Sequence, residues 1–249
     1  MPDPRIVACV TAFNEEGTVG QVVQALRASP VVARVQVIDD ASTDATAQLA
    51  QAAGATVHSL PERVPVGKAI RQHLEHLAEG EWQLWCDADL IGLRPEHPVR
   101  LESALRAEGA EMAVGVKCLP EPYQHWFPKG GSHHFFRRLF GSISGERLLP
   151  VARFREAMAQ AEAWGLEEVI DGYGIVLFLN WYLRKQGFRE TRLYFPEITQ
   201  RQKTEKWGRS KAGEMVGEWW QFFRTWWQLR LFCESRYRRD GLMATAGQA

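Results

Sequence analysis

The chain has 249 residues, with 30 basic and 30 acidic side chains and a formal net charge of zero, so no global field draws it to nucleic acid. Hydrophobic residues make up 45% and charged residues 24%, the balance of a folded globular chain rather than a disordered or fibrous one. No uninterrupted apolar run reaches about 18 residues, which speaks against a membrane-spanning helix, and the four scattered cysteines form no Cys-x-x-Cys or metal spacing, as expected of reduced thiols in the cytoplasm.

Pro2-Asp3-Pro4-Arg5 leads directly into an apolar run, with no secretory leader expected. The first part of the chain then alternates short apolar runs with helical patterns. Strands are predicted at about 5–12, 34–39, 55–58, 82–86 and 111–117, and helices at about 17–28, 43–53, 66–79 and 96–107. Such alternation predicts an α/β fold with a mainly parallel sheet covered by helices on both faces. Ser42-Thr43-Asp44 offers a cap for the second helix, Gly54 follows its end, and Pro95 sits near the start of the fourth. The rhythm breaks after Lys117. Leu119 to Gly141 is rich in proline, glycine, histidine and aromatics and reads as a long functional loop with a short helix near 135–140. Ser144-Gly145-Glu146-Arg147 then leads into a helix over about 151–163. A helix at about 173–186, a strand at about 190–197, a basic loop and a last helix over about 211–238 complete the chain.

The chemistry concentrates at Asp87-Ala88-Asp89, where two carboxylates follow the apolar strand Glu81–Cys86. Ligands of open α/β sheets bind outside the carboxyl ends of strands. Two carboxylates there suit a hard divalent cation that takes its other ligands from water and substrate phosphates. Two further strand-to-helix turns precede it: Ile6–Glu16, and Val35–Asp44 with its acidic pair Asp39-Asp40. Val66-Gly67-Lys68-Ala69 opens the helix before the Asp87 strand.

In this order and spacing, the four segments resemble glycosyltransferase family 2 and its relatives of the GT-A fold, including lipid-linked-sugar enzymes and glycosyl-phosphoglycerate synthase-like members. The resemblance runs strongly over residues 5–92 and more weakly to about 207. It implies a GT-A domain over residues 1–210, with a nucleotide-sugar half at about 1–117 and an acceptor half at about 118–210. Residues 211–249 would form an amphipathic helix and tail. By the resemblance, the backbone of Thr11, Ala12 and Phe13 and the carboxylate of Asp40 contact the base, Glu15 the ribose, and Lys68 the nucleotide or its phosphates. Asp89 is then the ligand of Mg²⁺ or Mn²⁺, with Asp87 as a donor contact or second ligand. The plain alternatives are helix capping for Asp40 and solvation for Glu15 and Lys68.

Glu146 and Arg147 belong to a segment resembling the Ser-Gly-x-Arg stretch of these enzymes, which would line the sugar or acceptor site. The pattern departs at Asp171-Gly172-Tyr173-Gly174-Ile175-Val176, because many relatives carry a carboxylate where Val176 stands. Asp171, Glu168 and Glu146 remain as substitutes for a base, and a phosphate acceptor needs none. A second departure is at Thr199–Lys203, where relatives often have a metal-binding histidine; here Gln200 or Gln202 stands near that place. Arg201, Lys203 and Lys206 are placed to clamp a diphosphate or anionic acceptor.

The resemblance therefore implies a metal-dependent transfer of a sugar from a nucleotide-diphosphate sugar, UDP favoured over GDP, to a lipid-linked or phosphorylated acceptor. A nucleotidyltransferase and a non-catalytic sugar-nucleotide binding protein are the alternatives. The last helix has a broad apolar arc that includes Trp219, Phe222, Trp226, Trp227 and Leu229, with basic residues around it. Trp226, Trp227 and Leu229 are expected to meet lipid at the inner face of the membrane, and Trp219 and Phe222 the domain. Self-association into a homodimer competes with that reading.

Overall fold

The computed structural model describes residues 5–117, 146–200 and 212–239, with the backbone alone at Lys117 and 212–224. The expected loop Leu119–Gly141, Ser144-Gly145, Arg201, Gln202, Lys203, Lys206 and the chain's tail lie outside the described residues, as do the side chains of Trp219 and Phe222.

The strands are β1 (Arg5–Ala12), β2 (Val32–Asp39), β3 (Thr56–Ser59), β4 (Glu81–Asp87), β5 (Leu90–Ile91), β6 (Met112–Lys117), β7 (Arg147–Pro150), β8 (Glu190–Phe195) and β9 (Thr199–Gln200). The helices are α1 (Val19–Arg27), α2 (Thr46–Ala52), α3 (Val66–His73), α4 (Glu96–Ala107), α5 (Val151–Ala163), α6 (Glu167–Ile170), α7 (Gly174–Lys185) and α8 (Ala212–Arg239), with a 3-10 turn at Leu74–His76 after α3. Seven strands form one sheet in the order β3-β2-β1-β4-β7-β6-β8, and β5 pairs with β9 in a small second sheet. All neighbours in the large sheet are parallel except β7, which runs antiparallel to both β4 and β6.

The period of two along each strand divides the interior into two cores. Ile6, Ala8 and Val10 face one side, where Val19, Val22, Val23 and Leu26 of α1 and Leu101 and Leu105 of α4 cover them. Val7 and Cys9 face the other, where they join Trp85, Ile70 of α3, Phe154 of α5, Phe178 of α7, and Trp226 and Cys233 of α8. Strands buried on both faces need the near-continuous apolar sequence seen in β1.

Four expectations change. Arg147 opens a strand, β7, where the sequence predicts only a lead-in to the helix at about 151. A short apolar run ending in Pro150 is too brief to show a strand's periodicity, and Pro150 ends the strand as α5 begins. The helix after Val66 closes at His73 rather than near 79, and α2 begins at Thr46, its first turn served by Asp44, whose Oδ1 accepts from the Thr46 backbone at 3.0 Å. On α8, Trp226 and Leu229 are buried in the shared core, which removes them from the expected lipid-facing set; Trp227 and Leu231 are the exposed apolar side chains, 54% and 58% accessible.

Candidate active site

The carboxyl ends of β1, β2 and β4 lie side by side, because Thr11 pairs with both Ile38 and Asp87 in the sheet. Each strand is followed by a turn tied to its neighbour. The Asp40 backbone N–H donates to the Ala12 carbonyl at 2.9 Å, and that of Ala88 to the Thr11 carbonyl at 3.1 Å. The turns after β1 and β2 are laced by side chains. Asn14 N–H donates to Ser42 Oγ at 3.0 Å, and Thr43 N–H returns a bond to Asn14 Oδ1 at 2.9 Å. Asn14 (φ 53) and Ala41 (φ 56) both hold left-handed backbone. Such conformations cost about 1–3 kcal/mol at a non-glycine residue and gather where the backbone is shaped for a ligand.

Glu15 is buried rather than solvated. Its N–H donates to Thr46 Oγ1 at 2.7 Å, and its carboxylate accepts from the Thr18 hydroxyl at 3.2 Å. Asp40 does not cap a helix. Its Oδ1 accepts from the Val64 backbone at 2.8 Å, and Arg63 lies 3.7 Å from its other oxygen. Partial burial raises the Asp40 pKa, opposed by the Val64 bond and by Arg63. The Arg63 guanidinium also sits 4.0 Å from the centre of the Phe13 ring. Phe13, Arg63 and Asp40 thus form one surface beside the β1–β2 turns. Arg63 gave no signal in the sequence, since it lies in an irregular loop between β3 and α3.

Lys68 is exposed in the first turn of α3, and its backbone N–H donates to the Asp171 carbonyl at 2.9 Å. Gly67 makes that approach feasible: a Cβ there would stand 2.0 Å from the Ile170 carbonyl oxygen and 2.6 Å from that of Gly172. Arg71, one turn along α3, holds the Asp171 carboxylate with one nitrogen and Glu162 with the other, the latter at 2.6 Å. A cavity of about 450 Å³ opens beside this junction, lined by Lys68, Arg71, Glu75, Arg155, Glu162 and Asp171 among others. The Asp171 backbone thus meets the turn that carries Lys68, while its carboxylate pairs with Arg71, a pair that the sequence did not disclose. Val176 lies partly buried against the core on α7, where it has no proton to exchange.

Asp87 closes β4 and Asp89 opens the turn into β5, both partly exposed around buried Ala88. Gln200 is brought to them by the β5–β9 pair, in which Leu90 pairs with Gln200. Two features seat β9. A Cβ on Gly92 (φ +84) would lie 2.2 Å from the Glu197 carbonyl oxygen, and the buried His97 bonds Glu197 Oε1 at 2.8 Å. Among the described residues, no three His, Cys, Asp or Glu side chains make a ready metal cluster. Two carboxylates and an amide are an all-oxygen set that suits Mg²⁺ or Mn²⁺ sharing water and phosphate ligands.

Arg147 is fully buried at the start of β7, paired in register with Trp85 two residues before Asp87. Its Nη1 donates to Asn180 Oδ1 on α7, a partner not foreseen from the sequence, and burial lowers its pKa to about 10. Glu146 is buried too, its carbonyl accepting from the Gly115 N–H at 2.9 Å. The structure thus gathers Phe13, Asp40, Asp87, Asp89 and Gln200 around the strand ends, sets Lys68 and Asp171 together at α3, and keeps Glu146 and Arg147 inside the sheet.

The model of the family described as Glycosyl transferase family 2 matches residues 7–141. Protein RfbJ of Shigella flexneri is 39% identical over 57 residues, 23% of this chain and 44% of that protein, so the chain spans less than half the length of this relative. Glucosyl-3-phosphoglycerate synthase from Mycobacterium tuberculosis, solved with phosphoglyceric acid, superposes with a TM-score of 0.61 at 21% identity, covering 80% of this chain and 72% of that one. The same enzyme solved with Mg²⁺ and uridine diphosphate gives 0.61 at 22% with the same coverage. With Mn²⁺, uridine diphosphate and glucosyl-3-phosphoglycerate it gives 0.60 at 21%, again over 80% and 72%. At this identity the likeness speaks for the fold. Among the described residues, no helix is long and apolar enough to cross a membrane.

Proposed function

This chain belongs to glycosyltransferase family 2, and from that premise we propose that it transfers a sugar from a nucleotide-diphosphate sugar, UDP favoured, to a phosphorylated or lipid-linked acceptor. The observation that carries the reading is the convergence of Phe13, Asp40 and the Asp87–Asp89 pair at the adjacent carboxyl ends of β1, β2 and β4. Ligands of open α/β sheets bind at that edge. The structurally similar synthase binds uridine diphosphate with Mg²⁺ or Mn²⁺, and phosphoglyceric acid, in its solved complexes, which supports the same classes of donor and acceptor here.

In this reading the Phe13 ring and the Asp40 carboxylate receive the base, with Arg63 shifting from between them. The Thr11–Ala12 backbone and Glu15 shape the ribose pocket, and the Lys68 ammonium neutralises diphosphate charge. Asp89, with Asp87 and Gln200, would hold Mg²⁺ or Mn²⁺, which when bound offsets the charge left on the departing nucleoside diphosphate. Arg201 is assigned to the diphosphate or the acceptor on its charge alone. Asp171, held by Arg71 beside Lys68, orients the acceptor or serves as its base; Glu146, buried in the sheet, is the weaker choice. A phosphate acceptor is an anion at neutral pH and needs no base at Val176.

Product analysis tests the proposal. Incubation with UDP-sugars, Mn²⁺ and phosphorylated acceptors is expected to release nucleoside diphosphate. Release of pyrophosphate would instead mark a nucleotidyltransferase, and binding without release a non-catalytic sugar-nucleotide protein.

A further inference from the structure

The loop between β3 and α3 closes over the surface that Phe13 and Asp40 form. Its sequence is Leu60-Pro61-Glu62-Arg63-Val64-Pro65, bracketed by two prolines whose rings fix φ. Both ends are anchored. The Leu60 N–H donates to the Asp39 carbonyl at 2.9 Å, and Pro65 caps the first turn of α3. Between them, consecutive residues engage the two oxygens of one carboxylate. The Val64 N–H donates to Asp40 Oδ1 at 2.8 Å, and Arg63 Nε stands 3.7 Å from Oδ2. The Arg63 guanidinium also lies over the face of the Phe13 ring, 4.0 Å from its centre. A guanidinium is planar, carries N–H groups at its edge and stacks on aromatic faces. A base such as uracil has the same three properties. Arg63 therefore makes the two contacts that the donor base would make, one to the ring and one to the carboxylate. Neither contact is strong. The Arg63 side chain is 59% exposed, so water and salt screen its pairing with Asp40. Arg63 can leave while Val64, bonded through its backbone, stays.

We infer that Arg63 is a built-in competitor for the donor base: its guanidinium holds the Phe13–Asp40 seat, must leave before a nucleotide binds, and so sets how tightly the donor is taken. The inference rests on the reading of Phe13 and Asp40 as the base seat. The apparent dissociation constant is the intrinsic one divided by the fraction of molecules whose seat is open. An exposed cation–π contact and an exposed ion pair together close the seat by a factor of about three to thirty. The penalty falls on the base alone, so a nucleoside and its diphosphate lose the same factor. Without Arg63, the Asp40 carboxylate keeps its Val64 bond and offers its other oxygen to the base.

The test titrates the full chain with UDP in Mn²⁺ by calorimetry, with uridine measured as a competitor of UDP. Arg63→Ala is expected to bind UDP about threefold or more tightly than the wild type, and uridine by the same factor. Arg63→Lys keeps the charge but loses the planar group, and should show part of the gain. Arg63 is exposed, so the melting temperature of both variants should match the wild type. Unchanged or weaker UDP binding by Arg63→Ala would overturn the competitor role and leave the base seat standing. A gain for UDP without one for uridine would overturn it too, because Arg63 would then act on the phosphates. Binding of UDP by neither wild type nor Arg63→Ala would remove the seat itself, and with it the functional reading on which the inference rests.

Discussion

Asp89 and His73 show how two buried or half-buried polar groups lead to different expectations. Asp89 stands just past the end of β4, beside Gln200 across the β5–β9 pair. Asp89→Ala is expected to reduce Mn²⁺-dependent UDP binding by at least about tenfold, the loss of one charge-assisted ligand bond of roughly 1.5–3 kcal/mol. Calorimetry that finds the same affinity in the folded variant would take Asp89 out of the site. His73 concerns stability. Its pKa in the fold is about 3, lowered first by burial and then by His58, His76 and Arg34. The unfolded chain binds that proton at about pH 6.5. As pH falls, the unfolded state is therefore protonated first, so stability is complete above about 6.5 and drains away between there and 3. By pH 5 the loss from this one group is about 2 kcal/mol. Urea midpoints at pH 7 and pH 5 should show that loss in the wild type and much less of it in His73→Leu.

At the scale of elements, α3 links the two halves of the candidate site. Its first turn carries Lys68, and Gly67 lets it lie against the Ile170–Gly172 backbone. Gly67→Ala would press a methyl group into two carbonyl oxygens, so α3 must shift. A stability loss of about 1–3 kcal/mol is expected. Diphosphate affinity should fall further than nucleoside affinity, as for Lys68→Ala. Equal losses for both ligand classes would show that Lys68 does not serve the phosphates.

What could be read from the sequence also divides by element. The fourth helix spans 96–107 as its spacing predicts, and α5 spans 151–163, because long amphipathic segments declare their period. β7 escaped because its four residues are too few to alternate visibly. The β5–β9 pair escaped because two-residue strands are defined by their partner, not by pattern. The Phe13–Arg63–Asp40 surface, the Asp171–Arg71 pair and the Arg147–Asn180 bond join residues up to 100 positions apart, and no local spacing encodes such meetings. The carboxylates at the strand ends were legible because strand and turn chemistry are both local.

For the whole molecule, the question is what α8 does for the fold. It packs on α7 through Trp226, Leu229, Cys233 and Tyr237, and Tyr237 donates its hydroxyl to the Lys185 carbonyl at 3.0 Å. Trp181 of α7 stands between Trp164 and Tyr237, so the helix end is joined to the α5–α7 layer by a run of aromatic contacts. Lys185 and Glu234 add an ion pair at 2.7 Å, about a third exposed on the lysine side and worth little by itself. The opposite face presents Trp227 and Leu231 one turn apart, with Arg230, Arg238 and Arg239 exposed near them. Trp226→Ala should therefore cost about 3–5 kcal/mol, as for a buried aromatic, while Trp227→Ala should stay within about 0.5 kcal/mol. Denaturant titration of the two variants checks this directly, and equal losses would mean that both indoles are packed. If the exposed pair meets an anionic membrane surface, Trp227→Ala/Leu231→Ala should abolish co-sedimentation with phosphatidylserine vesicles at low salt while leaving the denaturation midpoint in place. The nearby arginines would add about 1 kcal/mol each to that attraction. A wild-type protein that stays in the supernatant at low salt would remove the membrane from the account of this helix, and sedimentation velocity would then ask whether the same two side chains join a second copy of the chain.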